Sequence, residues 1–153
     1  MKYEVMDVRD IKYDDGFFDI AIDKSTIDAL LCGDNAYVNV AIMLKEVQRV
    51  LKPGGCYVAI SYGKPESRAF HFEREHLGFS MKQYILYPAE ADTEEQKEEK
   101  SHYIYVCRKI EEADRRASQN FDKVVAEIKR QQEEEAAEYY KKGGEDASDS
   151  EEG

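Results

Sequence analysis

The chain has 153 residues, 36% of them charged, a net charge of −11 and a mean hydropathy of −0.72. This length allows one domain with a substantial core. The acidic balance, the lack of a basic stripe and the lack of any run of about 18 apolar residues argue against a nucleic-acid surface and a membrane-spanning helix.

The first stretch with strand character is Lys2 to Val8, with Tyr3, Val5 and Met6 as its apolar side and Asp7 at its carboxyl end. Arg9 to Gly16 is polar and carries Asp-Asp-Gly, a turn signal. Phe17 to Leu31 follows, and the rest of the chain is organised around it. Phe18, Ile20 and Ile22 alternate with Asp19, Ala21 and Asp23. The pattern predicts a short central strand in a sheet covered on both faces. That strand stops at Asp23-Lys24. Ligands of open α/β sheets bind just outside the carboxyl ends of strands, so this pair is a candidate site, although two charges there also suit an ordinary solvated turn. Ser25-Thr26-Ile27-Asp28 reads as a cap and first turn of a short helix that ends at Gly33-Asp34-Asn35.

Ala36 to Leu51 is the clearest helix, with Val40, Met43, Leu44, Val47, Val50 and Leu51 on one face and Lys45, Glu46, Gln48 and Arg49 on the other. Lys52-Pro53-Gly54-Gly55 stops it, because proline cannot continue a helix and glycine takes the left-handed turn. Cys56 to Ser61 is then a buried strand. Tyr62 to Gly78 is an irregular or helical excursion carrying Pro65, Arg68 and His71. Phe79 to Tyr87 and His102 to Arg108 are strands of an antiparallel hairpin at the sheet edge, joined across a solvated charged loop from Glu94 to Lys100. Glu111 to Lys142 predicts a long charged helix with one apolar stripe at Phe121, Val124, Val125 and Ile128. The remaining 143–153 read as a disordered acidic tail.

From Ile110 onward there are 14 acidic and 7 basic residues, so residues 1–109 are only mildly acidic. Cys32, Cys56 and Cys107 are far apart and form no Cys-x-x-Cys pair. They suit free thiols of a reducing compartment better than disulfides or a metal centre. His71, His76 and His102 lack ligand spacing. With no cleavable apolar leader to be seen, the expectation is a soluble cytoplasmic protein without a metal site.

The order of strand ending in Asp, turn, Phe-Asp-x-x-x-Asp-Lys, helix, Leu-Lys-Pro-Gly-Gly, strand and hairpin resembles the second half of a class I S-adenosylmethionine-dependent methyltransferase, from about Tyr3 to Lys109. The detail is narrower. Asp7-Val8-Arg9, Phe18-Asp19, Asp23-Lys24-Ser25-Thr26-Ile27-Asp28-Ala29-Leu30-Leu31, Glu46-Val47-x-Arg49-Val50-Leu51 and Pro65-x-x-Arg68 resemble the methyltransferase-like group that includes protein-lysine methyltransferases. Leu-Lys-Pro-Gly-Gly is evidence only for the class, whereas the Asp-Lys-x-Thr-x-Asp-Ala-Leu run is much more specific.

The resemblance implies a Rossmann-like α/β sheet, S-adenosylmethionine as cofactor and a protein substrate. It implies that Asp7 and Val8 meet the cofactor's adenine end. Asp23 and Lys24 would then lie beside its methyl and methionine portion as the catalytic pair, with Asp23 also binding cofactor. Thr26 and Asp28 would cap and orient the following helix. Ser25 stands where the family usually has glycine; a positive φ there would strain the turn by about 1 kcal/mol.

The family's sheet order is 3-2-1-4-5-7-6, and its first strand leads into a glycine-rich cofactor loop. No Gly-x-Gly-x-Gly occurs in this sequence. The expectation is therefore a partial methyltransferase domain at 1–109, a charged helical extension at 110–142 and a tail at 143–153. Such a chain would be a fragment, a truncated gene product, a half whose sheet a partner chain completes, or a decayed relative. Two functions compete: the catalytic-end half of a methyltransferase, or a non-catalytic methyltransferase-like protein that holds a partner through its C-terminal helix.

Overall fold

A computed structural model describes residues 1–117 and 121–145. Four strands form one sheet in the order β1-β2-β4-β3. β1 is Phe18–Lys24, β2 Leu51–Ser61, β3 Phe79–Leu86 and β4 His102–Lys109. β1 and β2 are parallel, and β4 is antiparallel to both β2 and β3. This is the 4-5-7-6 portion of the order the resemblance implied. The parallel pairing of β1 with β2 and the edge hairpin stand where the sequence pattern put them, but β1, expected as the central strand, is the other edge of this sheet, since β2 is its one strand partner among the described residues.

β1 and β2 are joined through α1 (Thr26–Leu31) and α2 (Ala36–Val50). The apolar stripe of α2 places Val40, Met43, Leu44 and Val47 in the core with Ile27 of α1. Opposite them, alternation along β2 and β4 turns Tyr57, Ala59, Tyr105 and Cys107 to the same side. Each large apolar side chain so buried contributes about 1.5–3 kcal/mol. The turn out of α2 is tight. A side chain on Gly55 would come within 2.9 Å of the Asp19 carbonyl oxygen, where β1 and β2 shift register. At the same end Lys109 of β4 is buried, and its ammonium donates to the Gln48 and Leu51 carbonyls at 2.9 and 2.8 Å. It thereby satisfies helix-end acceptors that lack an intrahelical partner, and Asp114 pairs with it at 2.7 Å.

Tyr62 to Gly78 contains α3 (Pro65–Phe72), with Pro65 in the first turn, and a 3₁₀ turn at Glu75–Leu77. Both His71 and His76 are buried here.

Five further expectations are corrected. Lys2 to Val8 is not a strand: it pairs with no sheet neighbour, and Tyr3 and Val5 are 84% and 106% exposed. An extended segment becomes a strand only through a ladder of inter-strand hydrogen bonds, and this one has none. β1 is not covered on both faces, since Ile20 and Ile22 are 59% and 73% exposed. Glu94 to Lys100 is not a loop. Thr93 caps α4 (Glu94–Glu99) by accepting from the Gln96 N–H, while the Gln96 side chain accepts from the Asp92 N–H. Thr-x-x-Gln was the signal for this capping box. The single charged helix is instead α5 (Ala113–Ala117) and α6 (Phe121–Glu145), with residues 118–120 outside the description. Gly143 to Glu145 belong to α6 rather than to a disordered tail, and the rest of that tail, 146–153, lies outside the described residues.

The chain divides into two compact units, 1–119 and 120–153. The second, by itself, is α6 with an Arg130–Glu134 ion pair at 3.1 Å.

Candidate active site

Asp23 leaves β1 buried, and its carboxylate is fully engaged by the turn that follows. One oxygen accepts from the Thr26 N–H at 2.7 Å; the other accepts from the Ile27 N–H at 3.1 Å and the Tyr57 hydroxyl at 2.8 Å. Asp23 is therefore the group that caps α1. Ser25, expected to cap it, makes no side-chain cap and sits at φ 65°, with a buried Oγ that has no partner among the described residues. A positive φ is a conformation that suits glycine better than serine; with Ser25 making no cap, the carboxylate two residues earlier reaches the free N–H groups. Tyr57 was not foreseen as a site residue. The signal was a tyrosine inside a buried run, since a buried phenol needs a hydrogen-bond partner. Burial first, then the Asp23 charge, pushes this phenol well above its ordinary pKa.

A cleft of about 170 Å³ opens at this point, lined by Val8, Ala21, Asp23, Met43, Val47 and Tyr57 among others. The structure thus brings Val8 and Asp23 together across it. Asp7 and Lys24 are not in the lining. Lys24 is exposed at the end of β1. Asp7 is chelated by Arg9, through the backbone N–H at 2.8 Å and guanidinium nitrogens at 2.7 and 3.0 Å. Those bonds hold the Asp7 carboxyl down at about 2.

Asp28 was expected to cap α1. It accepts instead from the Ser61 hydroxyl, the Tyr62 N–H at 3.2 Å and the Arg68 guanidinium at 3.1 Å. Arg68 and Asp28 are both mostly buried. This network ties α1, the carboxyl end of β2 and α3 together, which gives a physical role to Pro65-x-x-Arg68. Glu46 and Arg49 act similarly on the amino-terminal segment. Glu46 accepts from the Ile11 N–H at 2.9 Å, and Arg49 donates to the Ile11 and Tyr13 carbonyls, both at 2.8 Å. The Arg49 side chain keeps the Glu46 carboxyl below its usual range.

These residues suit the sulfonium end of S-adenosylmethionine. Apolar Val8, Ala21, Met43 and Val47 exclude water, and a carboxylate with about four acceptor positions still has one open after three bonds. Among the described residues no group of His, Cys, Asp or Glu is placed to hold a metal ion, and no helix is long and apolar enough to cross a membrane.

Comparison with known proteins agrees with this fold. A methyltransferase-domain family matches residues 1–59. A chain from a Haloferax volcanii complex between the Trm112 methyltransferase activator and a methyltransferase superposes with a TM-score of 0.50 at 17% identity, covering 70% of this chain and 60% of that one. At that identity the likeness concerns the fold alone. The first unit has the Rossmann-like fold of the class I methyltransferases, the class whose cofactor is S-adenosylmethionine.

Among sequence relatives, EEF1A lysine methyltransferase 4 of Bos taurus is 33% identical over 90 residues, 54% of this chain and 35% of its own length. The eEF1A lysine and N-terminal methyltransferase of Mus musculus is 35% identical over 80 residues, 49% of this chain and 12% of its own length. These relatives are proteins named as lysine methyltransferases, and the matches span about a third or less of their own length.

Proposed function

We propose that this chain is the catalytic-end half of an S-adenosylmethionine-dependent protein-lysine N-methyltransferase. The observation that carries the reading is the turn at the carboxyl end of β1, where Asp23 caps α1 across a left-handed residue and faces an apolar cleft. The cofactor supplies an already activated methyl group. What remains for the protein is to orient a neutral amine and exclude water. Asp23, with its open acceptor position, orients a substrate N–H. Tyr57 holds that carboxylate still and keeps its own proton, so neither group is a strong base, and the amine proton leaves to solvent before transfer. Lys24 and Val8 flank the reacting end, and Asp7 lies towards the adenine. The relatives' names make eEF1A the first substrate to try. The open edge of β1 is where a partner chain, or more of the same polypeptide, completes the sheet and cofactor cradle.

The test is transfer of labelled methyl to purified eEF1A by a polypeptide joining these residues to a glycine-rich cofactor half, with circular dichroism to confirm folding. Asp23→Ala should lower turnover about 100-fold, equivalent to about 2.7 kcal/mol. Removing residues 146–153 should leave it unchanged. The 153-residue chain alone should bind the cofactor more weakly than about 10 μM, or −7 kcal/mol. Equal activity of Asp23→Ala and parent would sink the assignment. The second reading, a non-catalytic partner-binding protein, draws on the prior engagement of Asp7 by Arg9 and Asp23 by α1; it wins if the completed protein still binds no cofactor.

A further inference from the structure

The residue that follows β2 is an exposed aromatic anchored through both its ring and its backbone. Tyr62 is 56% exposed. β2 and β4 pair with Ser61 opposite Tyr103; one step further on, Tyr62 stands against His102 with ring centroids 4.3 Å apart. The backbone of this loop is tied to Asp28 of α1. The Tyr62 N–H donates to the Asp28 carboxylate at 3.2 Å, and the Ser61 hydroxyl donates to the same carboxylate while accepting from the Gly63 N–H at 2.9 Å. The Gly63 carbonyl accepts from the Tyr105 hydroxyl at 2.7 Å. Arg68 closes the network on Asp28 at 3.1 Å, through space that a side chain on Gly63 would fill, 2.2 Å from the Arg68 Nε.

This loop adjoins the Asp23 turn. The Ser25 N–H donates to the Ile60 carbonyl at 2.9 Å, so the turn that carries Asp23 is bonded directly to the strand end that carries Tyr62. Lys24 is opposite Ile60. With strands about 4.8 Å apart and a rise of about 3.3 Å per residue, the Tyr62 Cα lies about 8 Å from that of Lys24. A ring with one face against an imidazole has the other free for an apolar partner, and its prior ordering lowers the entropic cost of that contact.

We propose that Tyr62 is the specificity-determining wall on the acceptor side of the site, its free ring face holding the aliphatic stem of the side chain that receives the methyl group. The proposal rests on the methyltransferase reading for the reaction, and adds to it a selection for stem length. Lysine has a flexible four-carbon stem, and such stems lie along apolar surface while the head stays among polar groups. With the stem on Tyr62, the amine reaches the acceptor position that Asp23 leaves open after its three bonds. An amine on a short stem reaches one of the two and not both. His102 backs the ring, and Asp28 holds the backbone beneath it.

The experiment uses the full 153-residue chain, isotope-labelled, with two probes of equal charge followed by nuclear magnetic resonance. One is Nα-acetyl-lysine amide; the other is Nα-acetyl-2,3-diaminopropionic amide, whose amine sits on a single methylene. The lysine probe should shift the signals of Tyr62, His102 and residues 23–26 saturably, and bind at least fivefold tighter than the short one. Tyr62→Ala, at an exposed position that leaves the core intact, should abolish that preference, and Tyr62→Phe, which keeps the ring, should retain it within about twofold. Equal affinity of the parent for both probes, a preference that survives Tyr62→Ala, or shifts spread over the whole acidic surface would each overturn the proposal. None of these readouts needs methyl transfer or cofactor. Probe selectivity at Tyr62 with an inactive completed enzyme defeats the methyltransferase reading alone. An active completed enzyme whose KM for eEF1A is unchanged by Tyr62→Ala defeats this proposal alone.

Discussion

Residues 2–8 and 18–24 carry much the same local information: apolar residues at alternate positions and an aspartate near the carboxyl end. One is an exposed segment without a sheet partner, and the other is the strand on which the candidate site is built. The difference is the company each keeps. β1 hydrogen-bonds to β2 along its length, and α1 and α2 cover one of its faces. Asp7 of the first segment is bound by its own neighbour Arg9, whereas Asp23 is bound by a helix and by a tyrosine 34 positions later. Alternation shows which face a segment can bury; a partner decides whether it buries it.

The sharpest way to break the contrast is acid, which should strike the covered face and spare the amino-terminal segment. Burial, followed by Arg74, holds the His71 pKa down to about 3, with Arg68 adding to it; burial and then Arg74, with Lys45, hold His76 down to about 4. Because the unfolded state takes up these protons near pH 6.5 and the folded state does not, stability is fully present above pH 6.5 and is lost as pH falls towards 4 and 3. At about 1.4 kcal/mol per unit, each histidine removes about 2 kcal/mol by pH 5. Urea unfolding across that range should show the slope, and His71→Leu should flatten it; equal slopes would refute the cause.

Next in size, Asp23→Ala removes three bonds at once and should cost about 3 kcal/mol, seen as a lower urea midpoint. Asp23→Asn, which keeps an acceptor, should cost less. Arg49→Ala releases the Ile11 and Tyr13 carbonyls and should cost about 2 kcal/mol, with hydrogen exchange increasing at 11–16 while β1 stays protected. Ser25→Gly should raise stability by about 1 kcal/mol, because glycine occupies φ 65° without strain; a loss would mean that the Ser25 hydroxyl has a partner in solution. Smallest of all, Val5→Ser should fall within about 0.5 kcal/mol, whereas Ala59→Ser, in the core of β2, should cost several times more.

The local signals sufficed for much of this molecule. Periodicity marked α2, Pro-Gly-Gly marked where it ends, and alternation marked β1 and β4, because each depends on residues within one turn or one strand; Lys52 to Gly55, expected as a turn, belong to the start of β2. The Asp-Lys-Ser-Thr run located the candidate site and the glycine-like position within it. Thr93-x-x-Gln96 is equally local: it is the capping box that starts α4 in a stretch whose charge run by itself suggests a loop.

What only the tertiary structure decided is where the polar groups went. That Tyr57 completes the Asp23 cap of α1, that Asp28 bonds Arg68 40 residues away, and that Glu46 and Arg49 hold the segment before β1 are all pairings between distant residues. A sequence names the donors and acceptors, but burial forces each to find a partner, and the partner is whichever group the packing brings within about 3 Å.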